Sequence, residues 1–255
     1  MGTGLAHGLE AVLRLLGRDG YRFVANHLHR QVNKHGFHVA GVHYTPDPAS
    51  VGLTPQGEIT GLAAGELIRK RELTNLHVLD LCSGVGIVGM TTFATVRDEG
   101  RISALSFADI NIFNVNSVRK TLDRNADFFA GVKTEAFLSD GLKHLEPRNQ
   151  FDIIVSNPPH FDAPKFSEQT LEPVVLGSLD PGWQFHREFY DVCDNFLSDR
   201  GEVWFFENGD GTTVEAMRTL MERNPALRYV ESFPDERDPT FFWMITRRVP
   251  AAAPA

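Results

Sequence analysis

From Leu76 to Arg248 short apolar runs alternate with stretches of helical period, and few folds accommodate that alternation. HVLDLCSG is an apolar run that ends at glycine and leads into a helix reaching about Arg97. ISALSFAD, VKTEAFLSD and FDIIVSN read as three further strands, with NSVRKTLDRNA as a helix between the first two. QFHREFYDVCDNFL reads as a helix, GEVWFFEN as a fifth strand, TTVEAMRTLMERN as a helix, and LRYVESF and TFFWMITRR as closing strands. Strands separated by helices run mostly parallel and are covered on both faces. The expectation is an α/β fold: a doubly wound, seven-stranded, mostly parallel sheet whose last strand is antiparallel. Ligands of such sheets sit at the carboxyl ends of the strands.

Ahead of this region the pattern differs. Leu9, Val12, Leu13 and Leu16 repeat at helical spacing within a stretch from Leu5 to about Lys34. FHVAGVHY alternates and reads as one strand, TPDPASVGLTPQGE as a loop, and Glu58 to Lys70 as a helix. The expected organisation is a helical segment over 1–71 covering the ligand rim, a ligand-binding domain over 72–249, and a disordered tail over 250–255. Residues 1–71 hold eight Lys and Arg against five Asp and Glu, and the remainder holds seventeen against twenty-eight. The net charge of −8 argues against a generic nucleic-acid binder, and the mildly basic first part weakens that argument by permitting RNA or a protein partner. No apolar run approaches the ~18 residues of a membrane helix, the first residues lack a secretory pattern, and Cys82 and Cys193 form no CxxC. A cytoplasmic protein with two reduced thiols is expected.

DLCSGVGIVG spaces glycines as Gly84-x-Gly86-x-x-Gly89, between a strand and a helix. Glycines there allow a tight turn and close approach of a ligand to the backbone. The pattern also fits a dinucleotide site, so the neighbouring charge has to discriminate. Asp80, just ahead of the glycines, would repel a pyrophosphate and attract the sulfonium and ammonium of S-adenosylmethionine. Its alternative role is a helix cap. Asp109 ends the second strand, where a carboxylate would accept the ribose hydroxyls. Asp140 ends the third strand and is placed to accept from the adenine amino group, with Phe107 or Leu138 near the ring. Cys82, Ile110, Gly141 and Asn157 complete the expected cofactor contacts.

FDIIVSNPPH raises a separate question: why finish a buried strand with asparagine and two prolines? Proline lacks the N–H and fixes φ, so the strand must end at Asn157. The motifs VLDLCSGVGIVG, ADIN, SDG and NPPH, followed by GSLDPGWQFHREFYDVCDNFLSDRGEVWFFENG, occur in one order. Over roughly Leu76 to Phe206 they resemble the class I S-adenosylmethionine-dependent methyltransferases of the Asn-Pro-Pro-Tyr type, which have a Rossmann-like fold. These methylate nitrogen: release-factor glutamine, adenine N6, or guanine N2 in ribosomal RNA. The resemblance implies that the amide oxygen of Asn157 and the carbonyl of Pro158 accept the two N–H groups of a target nitrogen. Such alignment contributes several kcal/mol, up to about 7–11. Where the family carries a planar ring, this chain has His160, expected either to stack on the target or to take a proton from an ammonium. That departure favours a small-molecule amine or amide acceptor, with RNA or protein glutamine as the alternative.

Other candidates carry less chemistry. His27, His29, His35, His38 and His43 lie close in sequence but lack metal-ligand spacing, and no metal is expected. Trp183, Phe185, Phe161 and Phe166 form either an aromatic acceptor wall or ordinary core. Glu207 and Asn208 end the fifth strand on the same rim. Because of His160, two functions of another class stay open: an enzyme that cyclises or cleaves S-adenosylmethionine itself, releasing methylthioadenosine, and a non-catalytic binding module.

Overall fold

The computed structural model describes residues 36–50, 55–148, 150–162 and 178–250. The expected helix over Leu5–Lys34 and the tail beyond 250 lie outside them. Phe37–Val39 (β1) and Val42–Tyr44 (β2) form an antiparallel hairpin where a single strand is expected. The break falls at Ala40 (φ 49°) and Gly41 (φ 83°), the two positive-φ positions that a two-residue hairpin turn requires. Val42 and Tyr44 are fully buried in the core beneath. Asn125 fastens the hairpin: its Oδ1 accepts from His43 N at 3.0 Å and its Nδ2 donates to His43 O at 2.9 Å.

Pro55–Lys70 (α1) packs against Ile87–Val96 (α2) through two glycines one turn apart. A Cβ on Gly61 would stand 2.6 Å from Thr91 Cβ, and one on Gly65 2.5 Å from Thr95 Cβ. Only glycine permits that approach. Ala64 and Ile68 of α1 are thereby buried in the same core as the sheet, so residues 55–70 form part of the layer over it.

The sheet itself comprises Leu76–Leu81 (β3), Ile102–Asp109 (β4), Lys133–Leu138 (β5), Phe151–Ser156 (β6), Leu197–Asn208 (β7), Leu227–Pro234 (β8) and Phe241–Arg248 (β9). Their order is β5-β4-β3-β6-β7-β9-β8, and β9 is antiparallel to both neighbours. The doubly wound sheet is therefore as expected. Ile112–Arg124 (α3), Gln184–Tyr190 (α4) and Val214–Met221 (α5) complete the named helices. Two apolar clusters lie on the sheet's opposite faces, one including Val78, Phe107, Val155 and Trp204, the other Leu79, Ile154, Phe189 and Phe205. This is the consequence of β-strand alternation between two covered faces. The strand order reverses between β3 and β6, so a crevice opens at their carboxyl ends. Among the described residues, no helix is long and apolar enough to cross a membrane.

At the opposite end, buried Glu202 accepts from Arg71 at 2.6 Å, from Arg247 Nε at 2.7 Å and from Trp204 Nε1 at 2.7 Å. This ties the chain just after α1 to β7 and β9.

Candidate active site

The crevice is a cleft of about 560 Å³ over the carboxyl ends of β3, β4 and β6. Cys82, Gly84, Asp109, Ile110, Asp140, Gly141, Asn157, Pro158 and His160 all line it, together with Gly57 of α1 and Phe185 of α4. The turn after β3 holds three positive-φ residues, Cys82 (56°), Gly84 (53°) and Gly86 (86°). A Cβ on Gly84 would meet nothing within 4 Å, so this backbone faces open cleft. Gly86 instead faces inward: a Cβ there would come within 3.2 Å of Met90, Val118 and Phe107. Gly86 therefore shapes the loop from behind and does not line the cleft.

Asp109 is the organising carboxylate. Its Oδ2 accepts from Gly84 N at 2.8 Å, and its Oδ1 from Asn111 N at 2.8 Å and Asn114 Nδ2 at 3.0 Å. Burial raises its carboxyl above the ordinary range, and these hydrogen bonds work in the opposite direction. A carboxylate has about four acceptor positions, so three donors leave capacity for a hydroxyl from the cleft. Asp140 holds Lys143 at 2.6 Å through Oδ2. Ile110 is 69% exposed beside them. No Lys or Arg lines the described cleft. Asp109 has no cation among its partners, which suits a sulfonium and ammonium and opposes a pyrophosphate, so the residues present fit S-adenosylmethionine.

Asp80 does not reach the cleft, which corrects its expected direct contact. It is fully buried behind the glycine turn, and its Oδ2 accepts from Gly89 N at 2.7 Å. Burial raises its carboxyl well above the ordinary range. A Cβ on Gly89 would stand 2.9 Å from Asp80 Cβ and 2.8 Å from Phe107, so the third glycine is a packing glycine. Phe107, expected near the adenine, is buried beneath the same turn, while Leu138 is 48% exposed.

At the end of β6, Ser156 Oγ donates to Leu81 O at 2.6 Å, and Asn157 begins the loop. His160 Nε2 lies 2.9 Å from Asn157 Oδ1, and its Nδ1 3.4 Å from Glu207 Oε2. The ring is buried, edge-on to Phe161 and Phe241. Glu207 Oε1 lies 3.0 Å from His186 Nε2, and His186 Nδ1 lies 2.6 Å from Asp180 Oδ2. Burial opposes charge on His186, but the carboxylates of Glu207 and Asp180 push it up to about 9. Burial would raise Glu207, but charged His186 and the hydrogen bonds from both histidines bring it down to about 2. Asp180 also holds the first turn of α4, accepting from Phe185 N at 2.7 Å.

Residues 65–180 match the methyltransferase small domain family. The chain is also similar to release factor glutamine methyltransferase of Fusobacterium nucleatum, 24% identical over 184 residues, 69% of this chain and 49% of that protein. Ribosomal RNA small subunit methyltransferase C of Haemophilus ducreyi is 30% identical over 122 residues, covering 46% of this chain and 34% of that protein. The chain thus spans about half the length of the first and a third of the second. Among solved structures, the T. thermophilus 16S rRNA N2 G1207 methyltransferase, in complex with AdoMet and guanosine, superposes with a TM-score of 0.51 at 19% identity. That likeness covers 82% of this chain and 47% of the other. The expected class of S-adenosylmethionine-dependent methyltransferase agrees with the methyltransferase small domain and with this fold.

In and just beyond the matched residues 65–180 lie three residues that no sequence motif singles out: Asp180, His186 and Gly211. An Asp followed by Pro181 at a helix start is a capping signature, but nothing in sequence joins it to Glu207. A Cβ on Gly211 would stand 2.1 Å from His160 O, so the turn after β7 presses on the Asn-Pro-Pro-His loop. Of the aromatic wall, Phe185 lines the cleft, Trp183 packs edge-on to His186, and Phe166 lies outside the described residues. His27, His29 and His35 also lie outside them, while His38 and His43 face each other across the hairpin.

Proposed function

We propose that the chain is an S-adenosylmethionine-dependent N-methyltransferase acting on an amide or aromatic amine nitrogen. The observation that carries this is the shared cleft: Asn157 and Pro158 line the same space as Gly84 and Asp109. When bound, the cofactor supplies an electrophilic methyl group on a sulfonium. Asp109 accepts from the ribose, the turn at Gly84 gives the cofactor close backbone approach, and Asp140 and Ile110 flank the base. Asn157 Oδ1 and the Pro158 carbonyl accept from the target N–H groups, which directs the nitrogen lone pair toward the methyl. The proline pair holds that loop rigid.

The named relatives are a glutamine and a ribosomal RNA methyltransferase, which supports a planar nitrogen on a macromolecule. Nothing among them supports preference for a small amine. The test is transfer of labelled methyl to total RNA, to a release-factor peptide and to pooled small amines. Label on an amide or base nitrogen is expected. Methylthioadenosine formed without acceptor would replace this reading with cleavage of the cofactor.

A further inference from the structure

His160 stands where an aromatic ring would serve as a stacking platform, yet its surroundings are those of a held side chain. It is buried, both ring nitrogens face acceptors, and Phe161 and Phe241 meet it edge-on. We propose that His160 is a positioning residue: with Glu207, His186 and Asp180 behind it, it fixes the carboxamide of Asn157. This rests on the reading of Asn157 as the holder of the target nitrogen.

The chain of contacts runs inward from the cleft. An amide oxygen only accepts, so the 2.9 Å contact requires His160 Nε2–H to donate to Asn157 Oδ1. That oxygen keeps a second lone pair for a target N–H. Donation fixes which end of the carboxamide is oxygen, a choice that an aromatic ring at position 160 would leave to the asparagine. Glu207 Oε2, 3.4 Å from Nδ1, holds the ring from its far side. Glu207 in turn receives His186 Nε2 at 3.0 Å, and His186 donates its Nδ1–H to Asp180 at 2.6 Å. Tyr190 is the further titratable group that feels Glu207.

The backbone closes the circuit. Asp180 N donates to Phe161 O at 2.8 Å, and His160 N donates to Ser178 O at 2.9 Å. The residues that hold the ring therefore also hold its loop. The buried His186, positive, lies between the carboxylates of Asp180 and Glu207 and is compensated by both, as burial demands. A network of buried hydrogen bonds rigidifies what it touches.

Asn157 itself reports the outcome, through its carboxamide 1H–15N resonances in the full chain. The wild type is expected to show a shifted pair that exchanges slowly with solvent. His160→Phe keeps a ring and loses both nitrogens, and should move that pair to free-amide positions. His160→Gln restores an N–H donor and should retain it. Glu207→Gln keeps volume and removes charge, and should move the pair part-way. Transfer should follow, with kcat down on the order of 10² in His160→Phe and KM little changed. Asn157 resonances unchanged in the folded variants His160→Phe and Glu207→Gln would overturn the proposal. Should His160→Phe not fold, unchanged resonances in Glu207→Gln alone do so. Resonances that move while transfer stays at the wild-type rate uphold the positioning and instead remove Asn157 from the nitrogen-holding role.

Discussion

His186 Nε2 lies 3.0 Å from Glu207 Oε1, and both side chains are sealed from solvent. The two meet from different elements, α4 and β7, so their pairing exists only in the folded chain. Its pH dependence follows in sign. His186 is raised from 6.5 to about 9, so its contribution is fully present below pH 6.5 and is lost as pH rises through about 9. Glu207 is lowered from 4.5 to about 2, so its contribution is present above pH 4.5 and is lost as pH falls through about 2. The pair thus stabilises most between these windows. Urea unfolding of the wild type, minus that of His186→Gln, should show a difference shrinking by up to about 3 kcal/mol between pH 6.5 and 9. A flat difference would show that the pair carries no such linkage.

Asp80→Asn should be nearly silent. The asparagine oxygen can still accept from Gly89 N–H, and burial already disfavours the carboxylate. Affinity for S-adenosylmethionine, by calorimetry, is expected to stay within about threefold, under about 0.7 kcal/mol. Asp109→Ala should weaken it more than tenfold, about 1.4 kcal/mol, because Gly84 N, Asn111 N and Asn114 lose their common acceptor. The reverse ranking would return Asp80 to the cofactor.

Asn157→Ala should lower turnover on the order of 10² or more, the scale of losing one well-placed polar group. Affinity for S-adenosylmethionine should change little, since Asp109 and the glycine turn remain. Full activity of this variant would sink the nitrogen-positioning account.

Glu202→Ala should destabilise the fold by ~1–3 kcal/mol, the scale of leaving buried donors without their acceptor. It leaves Arg71, Arg247 and Trp204 Nε1 without their shared acceptor. Denaturant melts measure this directly, and a cost under 1 kcal/mol would show that water satisfies those donors.

The sequence by itself determined the sheet, its antiparallel last strand and the cleft. Apolar runs of strand length separated by helical period admit little else, and the rim follows from where each run ends, as at Asp109, Asp140 and Asn157. Polar residues at strand ends are legible because the strand's own alternation says where the backbone stops being paired. What tertiary structure alone decided is which carboxylates face the cleft and which face the core. Asp80 and Asp109 each follow an apolar strand run, yet one turns behind the glycine loop and the other into it. Likewise Asp180, His186 and Glu207 are separated along the chain, and only the packing of α4 against β7 brings their charges into line behind His160. Strand periodicity is a local signal. The desolvation and charge pairing that set these residues' roles depend on neighbours that only the fold supplies.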